Sequence, residues 1–192
     1  MTQLLTLAVL FASACVAVAQ IPQSEWVNLT QNPDWDRRPA WSPDQSSIAF
    51  VRDNGDGMDL MVMATDGTDL RRLTDGSNYL FSPSWFPDSQ TILYDVEHMG
   101  FFRIHTEGGS PEPLSQPAGR SYSHPALSPD GRRVAYHRHP SGGDDPRIFV
   151  ADLDGSNDVK VTDGGRGDQF VTWSPDGSAV AFQRHQPDDG LG

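Results

Sequence analysis

A short turn motif recurs four times along the chain at nearly constant spacing. Its prolines, Pro43, Pro87, Pro129 and Pro175, lie 44, 42 and 46 positions apart, and an aspartate follows each of them. An apolar residue comes five positions after each proline and an aromatic ring seven positions after it; the rings are Phe50, Tyr94, Tyr136 and Phe182. Offsets kept over four copies indicate a structural repeat, so the chain must fold as a series of equivalent units.

Each unit predicts four antiparallel strands in sequence order. Proline presets φ for the first central position of a turn, so each Pro-Asp step predicts a hairpin between strands one and two. Asp-Gly or Glu-Gly steps predict a second hairpin further on. The third strands are expected at Leu60 to Met63, Phe101 to His105 and Arg147 to Ala151. The fourth strands are expected at Leu73-Thr74, Leu114-Ser115 and Val161-Thr162.

The size of the unit predicts an all-β fold, a β-propeller of four-stranded antiparallel blades. A single such sheet exposes two apolar faces, so neighbouring blades must stack to bury them. We therefore expect the ring after each turn, and the tryptophans Trp41, Trp85 and Trp173 before it, to form the core between blades. The chain holds a partial propeller, with three full blades and part of a fourth.

The motif order resembles the repeat of the TolB-type β-propeller family, which is similar in architecture to WD-repeat propellers. It runs from Trp-Ser-Pro-Asp-Gly through an apolar strand and Asp-Gly to Leu-Thr, and the resemblance covers about residues 26 to 185. It implies a periplasmic protein that binds a protein partner. The same repeat occurs in propeller domains of prolyl-oligopeptidase-like and tricorn-like peptidases. Members of the TolB family carry an α/β domain before the propeller, whereas the repeat here begins shortly after an N-terminal apolar run.

The repeat divides the chain into a signal peptide, residues 1–19, and propeller repeats, residues 20–192. The units are expected at about 31–76, 77–120, 121–165 and 166–192. Residues 26–30 match the last strand of a blade, a position that commonly completes the final blade of a closed ring. Because TolB-like rings are similar to six-bladed propellers, two explanations stay open. The chain is a piece of a longer reading frame, or it is a short arc that self-associates through open blade edges.

The N-terminal residues predict export. Residues 1–19 carry no charged side chain, and Ala17-Val18-Ala19 precedes Gln20 as a signal-peptidase site would require. A retained membrane anchor and lipid attachment at Cys15 are alternatives. Cys15 is the single cysteine, so the mature body has no disulfide. We expect a periplasmic or secreted protein whose mature chain does not insert into a membrane.

The charge of the chain and its motifs narrow the functional classes. A formal net charge of −12 repels nucleic acid and anionic lipid, so neither is an expected partner. No Gly-x-Ser-x-Gly elbow is present; the nearest stretch, residues 119–123, lacks the second glycine. The alternating His137 and His139, and the acidic loop 53–59, lack the partners that a zinc or calcium site needs. We therefore expect no catalytic residues, no metal and no cofactor.

The binding surface is expected at one mouth of the central channel. Strand one of each blade lines that channel, and the residues just before it converge at one mouth. The candidates are Asp36, Arg37, Arg38, Tyr79, Phe81, Tyr122, His124, Asp168 and Phe170. Aromatic rings and arginine suit recognition of a protein or peptide partner. The alternatives are the propeller of a prolyl-oligopeptidase-like or tricorn-like peptidase that lacks its catalytic domain, and a propeller that binds a glycan or small molecule.

Overall fold

Antiparallel sheets follow one another in chain order. The computed structural model describes residues 27–115, 121–139, 146–163 and 167–185. Within these residues, three sheets have four strands and the fourth sheet has two, and each is a simple meander. The strands are β1 Trp35–Trp41, β2 Ser47–Asp53, β3 Met58–Ala64, β4 Arg71–Arg72, β5 Ser84–Trp85, β6 Thr91–Val96, β7 Gly100–His105, β8 Glu112–Ser115, β9 Ser121–Leu127, β10 Arg133–His139, β11 Arg147–Asp152, β12 Val159–Lys160, β13 Asp168–Trp173 and β14 Val180–Arg184. The predicted all-β partial propeller is confirmed.

The expected signal peptide lies outside the described residues, so export stays a prediction. Within the described ranges, no helix is long and apolar enough to cross a membrane.

The Pro-Asp turns join strands one and two as predicted. In the first blade, the Ser42 hydroxyl donates to the Asp44 carboxylate at 2.6 Å, and its oxygen accepts the Ser47 N–H at 2.9 Å. The third and fourth blades repeat this pair of contacts with Ser128 and Ser174. The residue after each aspartate adopts positive φ; these residues are Gln45 (63°), Ser89 (57°), Gly131 (71°) and Gly177 (68°).

Gln45→Gly should stabilise the fold by about 0.5–1 kcal/mol. Left-handed backbone costs a side-chain-bearing residue roughly 1–2 kcal/mol, of which glycine's extra entropy loss takes back about half. The reverse change, Gly177→Gln, is the matched control, because a Cβ there would meet Pro129 at an ordinary 3.5 Å. It should destabilise by a similar amount. Urea unfolding midpoints measure both, and shifts in the same direction would contradict the turn geometry.

Two fourth strands end earlier than predicted. In the second blade Leu114-Ser115 lies within β8 as expected, but β4 stops at Arg72 and β12 at Lys160, so the placements at Leu73-Thr74 and Val161-Thr162 are wrong. Backbone pairing continues for one residue, because the Leu73 and Val161 N–H groups still donate to strand three at 2.8 Å, and a threonine side chain then accepts the N–H that the ladder would have used. Thr74 Oγ1 accepts the Leu60 N–H at 2.8 Å, and Thr162 Oγ1 accepts the Ile148 N–H at 3.0 Å. The Leu-Thr and Val-Thr steps therefore close their strands by side-chain capping.

Tryptophan before the turn joins neighbouring blades. The Trp85 indole donates to the Ala40 carbonyl at 2.9 Å, and the Trp173 indole donates to the Ala126 carbonyl at the same distance. Trp85 is 8% exposed, but Trp41 is 59% exposed, so its predicted core role is wrong. Trp41 belongs to the first sheet, and no described sheet precedes it to supply the matching carbonyl. The rings Tyr94 and Tyr136 are buried between blades as predicted, at most 2% exposed. Phe50 is also 2% exposed, but it is covered by Leu29 and not by a second blade.

The segment before the first blade is not a strand. Among residues 26–30, the structure describes Val27 to Thr30 as coil and bend, so the expected leading strand is wrong. A strand needs a neighbouring backbone to pair with, and none of the described segments offers one there. Leu29 instead packs on the apolar face of the first blade, against Ile48, Phe50, Met61 and Met63.

Candidate binding site at the channel mouth

The first strands of successive blades are neighbours. Strand β1 contacts β5, β5 contacts β9, and β9 contacts β13. Strands that line the central channel of a propeller have this arrangement. Side chains that leave these strands in different blades can therefore meet at one surface.

A bulge interrupts the first strand in three of the four blades. The residue five positions before the turn proline there has positive φ; these residues are Arg38 (56°), His124 (57°) and Phe170 (51°). Pairing slips at the same places, for example between Arg37 and Ala40 and between Gln169 and Thr172. A bulge redirects a side chain, and left-handed backbone at a non-glycine residue is costly and concentrates at functional sites. The equivalent position in the second blade is Ser82.

The redirected side chains meet in a row across all four blades. The guanidinium of Arg38 lies 5.5 Å from the centre of the Phe81 ring, and the Phe81 and His124 rings are 5.7 Å apart. The His124 ring meets Phe170 edge-on at 4.7 Å. Phe170 is 49% exposed at the far end. We call Arg38, Phe81, His124 and Phe170 the mouth row.

A pair of stacked imidazoles supports the middle of the row. The His124 and His137 rings are 4.9 Å apart, and the Ser123 hydroxyl lies 2.7 Å from His137 Nε2 and 3.0 Å from His124 Nδ1. Burial lowers the pKa of His124 to about 3 and that of His137 to about 4, and the Arg38 charge adds to both shifts. Both rings are therefore neutral at neutral pH.

The contact between Ser123 and His137 does not make an activated nucleophile. A catalytic base needs a pKa near the working pH and a third group that orients its ring. The pKa of His137 is too low, and its Nδ1 has no partner among the described residues. Three or more metal-ligating side chains do not come together anywhere in the described ranges.

A buried acid lies behind the row in the second blade. Asp95 is fully buried, and its Oδ1 accepts the backbone N–H of Ser82 at 3.0 Å. Burial raises the pKa of Asp95 to about 7, against the opposing effects of backbone N–H groups and of the Arg38 charge. Sequence reasoning missed this residue. Asp95 and His137 each lie eight positions after the turn proline of their blade. This offset places both residues opposite the bulge position.

Two predicted rim acids are engaged within their own blades. Asp36 receives two hydrogen bonds from Arg52, at 2.7 and 2.9 Å. Asp168 receives two from Arg184, at 2.6 and 2.9 Å, and these bonds hold the pKa of Asp168 below its ordinary value. Each arginine follows its aspartate by sixteen positions, a spacing that could have revealed the pairs from the sequence. These carboxylates brace the first hairpin of their blades.

The other predicted rim residues lie beside the row. Arg37 is paired with Asp53 at 3.2 Å. Tyr79 is 53% exposed, in the connection before β5. Tyr122 lies in β9 opposite Arg138, and its side chain is outside the described residues. Their binding role stays a prediction.

Two pockets lie near these elements. One of about 260 Å³ opens beside the row and is lined by Ser82, His124 and Phe170 among others. A larger one, about 480 Å³, lies between the first two blades over Leu73, Leu80 and Tyr94. Because those three residues belong to the core cluster shared by the two blades, the larger pocket is a groove at the edge of the core.

Comparison with known proteins assigns the chain to a family. The model of the TolB β-propeller domain matches residues 11–191. The chain belongs to the TolB β-propeller family. The fold resembles the crystal structure of TolB from Acinetobacter baumannii, with a TM-score of 0.68 and 22% identity, over 78% of this chain and 38% of that one.

Two curated relatives match parts of the chain. The uncharacterized protein Atu1656 of Agrobacterium fabrum is 30% identical over 140 residues, which are 66% of this chain and 47% of that protein. The uncharacterized peptidase YuxL of Bacillus subtilis is 42% identical over 59 residues, which are 30% of this chain and 9% of that protein. The chain thus spans less than half the length of either relative.

Proposed function

We propose that this protein is a non-catalytic, TolB-like propeller that binds a protein or peptide segment at the mouth row, in the periplasm or after secretion. One observation carries the proposal. The bulge position recurs with the same strained backbone in three blades, yet its side chains are Arg38, His124 and Phe170. Core positions of the repeat keep their chemistry, as the buried rings Phe50, Tyr94 and Tyr136 do. A backbone bulge that repeats between blades while its side chain differs is expected of a surface that binds a ligand.

The composition of the row suits a polypeptide ligand. Arginine and aromatic rings dominate the binding energy of protein interfaces, because they bury large areas in well-packed, desolvated contacts. Phe81 and Phe170 supply rings on both sides of His124, and Arg38 supplies a cation at one end. The neutral imidazoles make the centre of the row polar without adding charge. A segment with apolar side chains and backbone amides fits this pattern.

Selection of random peptides displayed on phage tests the proposal. The wild-type chain is expected to enrich peptides that also bind as synthetic molecules, and Phe170→Ala should weaken their binding about tenfold or more. Trp41→Ala is the matched control, because Trp41 is an exposed ring of a first strand outside the row. It should leave binding unchanged. Peptides that bind Phe170→Ala as well as wild type would contradict a site at the row.

The match to YuxL favours a second candidate, the propeller of a peptidase. In that case the same row would select peptides for a catalytic domain. Incubating the natural full-length protein with the selected peptides separates the two functions. Cleavage of the peptides would establish a peptidase, whereas peptides that bind and stay intact favour a non-catalytic binding protein.

A further inference from the structure

Three charged side chains beside the mouth row form ion pairs among the described residues. Asp36, Arg37 and Asp168 each have an opposite charge within 3.2 Å. For Arg38, no carboxylate of the described residues lies within the 4.0 Å of an ion pair. Arg38 is therefore a cation without a counter-charge at contact distance.

The guanidinium of Arg38 is held in place. Both of its hydrogen bonds use Nη1, to the Phe81 carbonyl at 2.9 Å and to the Ser82 hydroxyl at 3.5 Å, and the group lies over the Phe81 ring. Guanidinium carries five N–H donors in a rigid fork. Its Nε and Nη2 donors have no recorded hydrogen bond within the described part of the chain. An arginine fixed in this way loses little entropy when it binds an anion.

Asp95 does not complete an ion pair with Arg38. Asp95 contributes an electrostatic attraction to Arg38, but it is fully buried and its Oδ1 is used by the Ser82 N–H. Because burial raises its pKa to about 7, this carboxyl is only partly ionised at neutral pH. Arg38 is only partly exposed, and burial lowers the pKa of its guanidinium, against the attraction of Asp95. A ligand anion would add the counter-charge that Asp95 supplies only in part.

We infer that the bound segment places a carboxylate against Arg38, from an acidic side chain or a free C-terminus, with its apolar neighbours on Phe81 and Phe170. This inference rests on the proposed function and specifies the ligand class of the same site. Arginine pairs with carboxylate through two parallel hydrogen bonds, which the free Nε and Nη2 edge can supply. The net charge of −12 opposes the approach of an anion, so the pairing acts at contact and not by long-range attraction.

Four short peptides test the inference. Acetyl-Phe-Asp-Phe-amide carries a side-chain carboxylate, acetyl-Phe-Asn-Phe as free acid carries a terminal one, and acetyl-Phe-Asn-Phe-amide is the neutral match of both. Acetyl-Phe-Asp-Phe as free acid carries both carboxylates. NMR titration of the protein's amide signals gives each dissociation constant. At least one anionic peptide should bind about tenfold more tightly than the neutral one. The anionic peptide that binds most tightly shows whether the carboxylate comes from a side chain or from a C-terminus.

Substitutions locate the effect. Arg38→Gln should abolish the preference for the anion, and Arg38→Lys should keep part of it, since lysine retains the charge but not the fork. Arg103→Gln is the matched control, because Arg103 is exposed in β7 and paired with Glu112. It should keep the full preference. The wild-type comparison stands even if Arg38→Gln does not fold.

The outcomes separate this inference from the proposed function. Equal binding of acidic and neutral peptides that still depends on Phe170 overturns the carboxylate but keeps the site. A preference for the anion that survives Arg38→Gln also overturns it. Loss of all dependence on Phe170, for every peptide, counts against the proposed function itself.

Discussion

Trp85→Ala is expected to lower the free energy of unfolding by about 3–5 kcal/mol. Trp85 is 8% exposed and belongs to the core cluster that joins the first two blades, with Leu80 and Ile92 among its members. Its indole also donates to the Ala40 carbonyl of the preceding blade at 2.9 Å. Removing the ring leaves a cavity and also takes the hydrogen bond from the Ala40 carbonyl, so both effects lower the stability. Urea unfolding followed by tryptophan fluorescence and circular dichroism measures the loss.

Trp41→Ala is the matched control for Trp85→Ala. It removes the same residue at the same repeat position, but Trp41 is 59% exposed, so the cost should be within about 0.5 kcal/mol. Trp85→Phe separates packing from hydrogen bonding, because it keeps a ring and leaves the Ala40 carbonyl unpaired, at about 1–3 kcal/mol. Equal losses for Trp41→Ala and Trp85→Ala would refute the packing of blades through this tryptophan.

The repeat predicted the fold because its offsets report packing that every blade shares. The rings Tyr94 and Tyr136, seven positions after their turn prolines, pack against the preceding sheet and are at most 2% exposed, as expected for rings between blades. The same logic failed for Trp41, because its burial depends on a neighbouring sheet and not on the blade that contains it. A repeat pattern specifies what a position faces, but the burial there also requires that the facing unit be present.

The chemistry of the mouth row was less accessible from the sequence. The repeat alignment predicts Arg38, His124 and Phe170 just before the first strands, whereas they lie within those strands. Their meeting also requires a bulge, which no residue type predicts. Asp95 was missed because it reads as one polar residue in an apolar strand, and its neighbours at the row come from other blades. Contacts between blades depend on register and stacking, which a pattern within one blade does not contain.

The arginine–aspartate pairs were an intermediate case. Asp36 and Asp168 were predicted to contact a binding partner. In the structure, their carboxylates accept hydrogen bonds from Arg52 and Arg184 of the same blade. Both pairs span one hairpin, so their spacing of sixteen positions is local information. The pairs could have been recognised by asking which residues lie opposite each other across the first turn.

Asp95→Asn should stabilise the protein by about 2–4 kcal/mol at pH 8 and remove a pH dependence that wild type shows. The ordinary pKa of 3.8 applies to Asp95 in the unfolded chain, and burial raises the pKa to about 7 in the folded one. The folded state therefore binds this proton more tightly. Wild-type stability from this group is greatest below pH 4, falls between about pH 4 and 7, and is then constant. Asparagine does not ionise and keeps an oxygen for the Ser82 N–H.

Unfolding in urea at a series of pH values from 4 to 8 measures this difference. The groups that face Asp95 are Arg38 from β1 and the backbone around Ser82 and His124, and the histidine is neutral throughout this range. Asp168→Asn is the control of opposite sign, because Arg184 lowers the pKa of Asp168, so its carboxylate stabilises the fold above about pH 4 and its loss should destabilise there. If Asp95→Asn is less stable than wild type at pH 8, the ionised carboxylate must be held by Arg38 more strongly than burial opposes it. Arg38 would then have its counter-charge inside the protein, and the carboxylate proposed for the ligand would lose its physical basis.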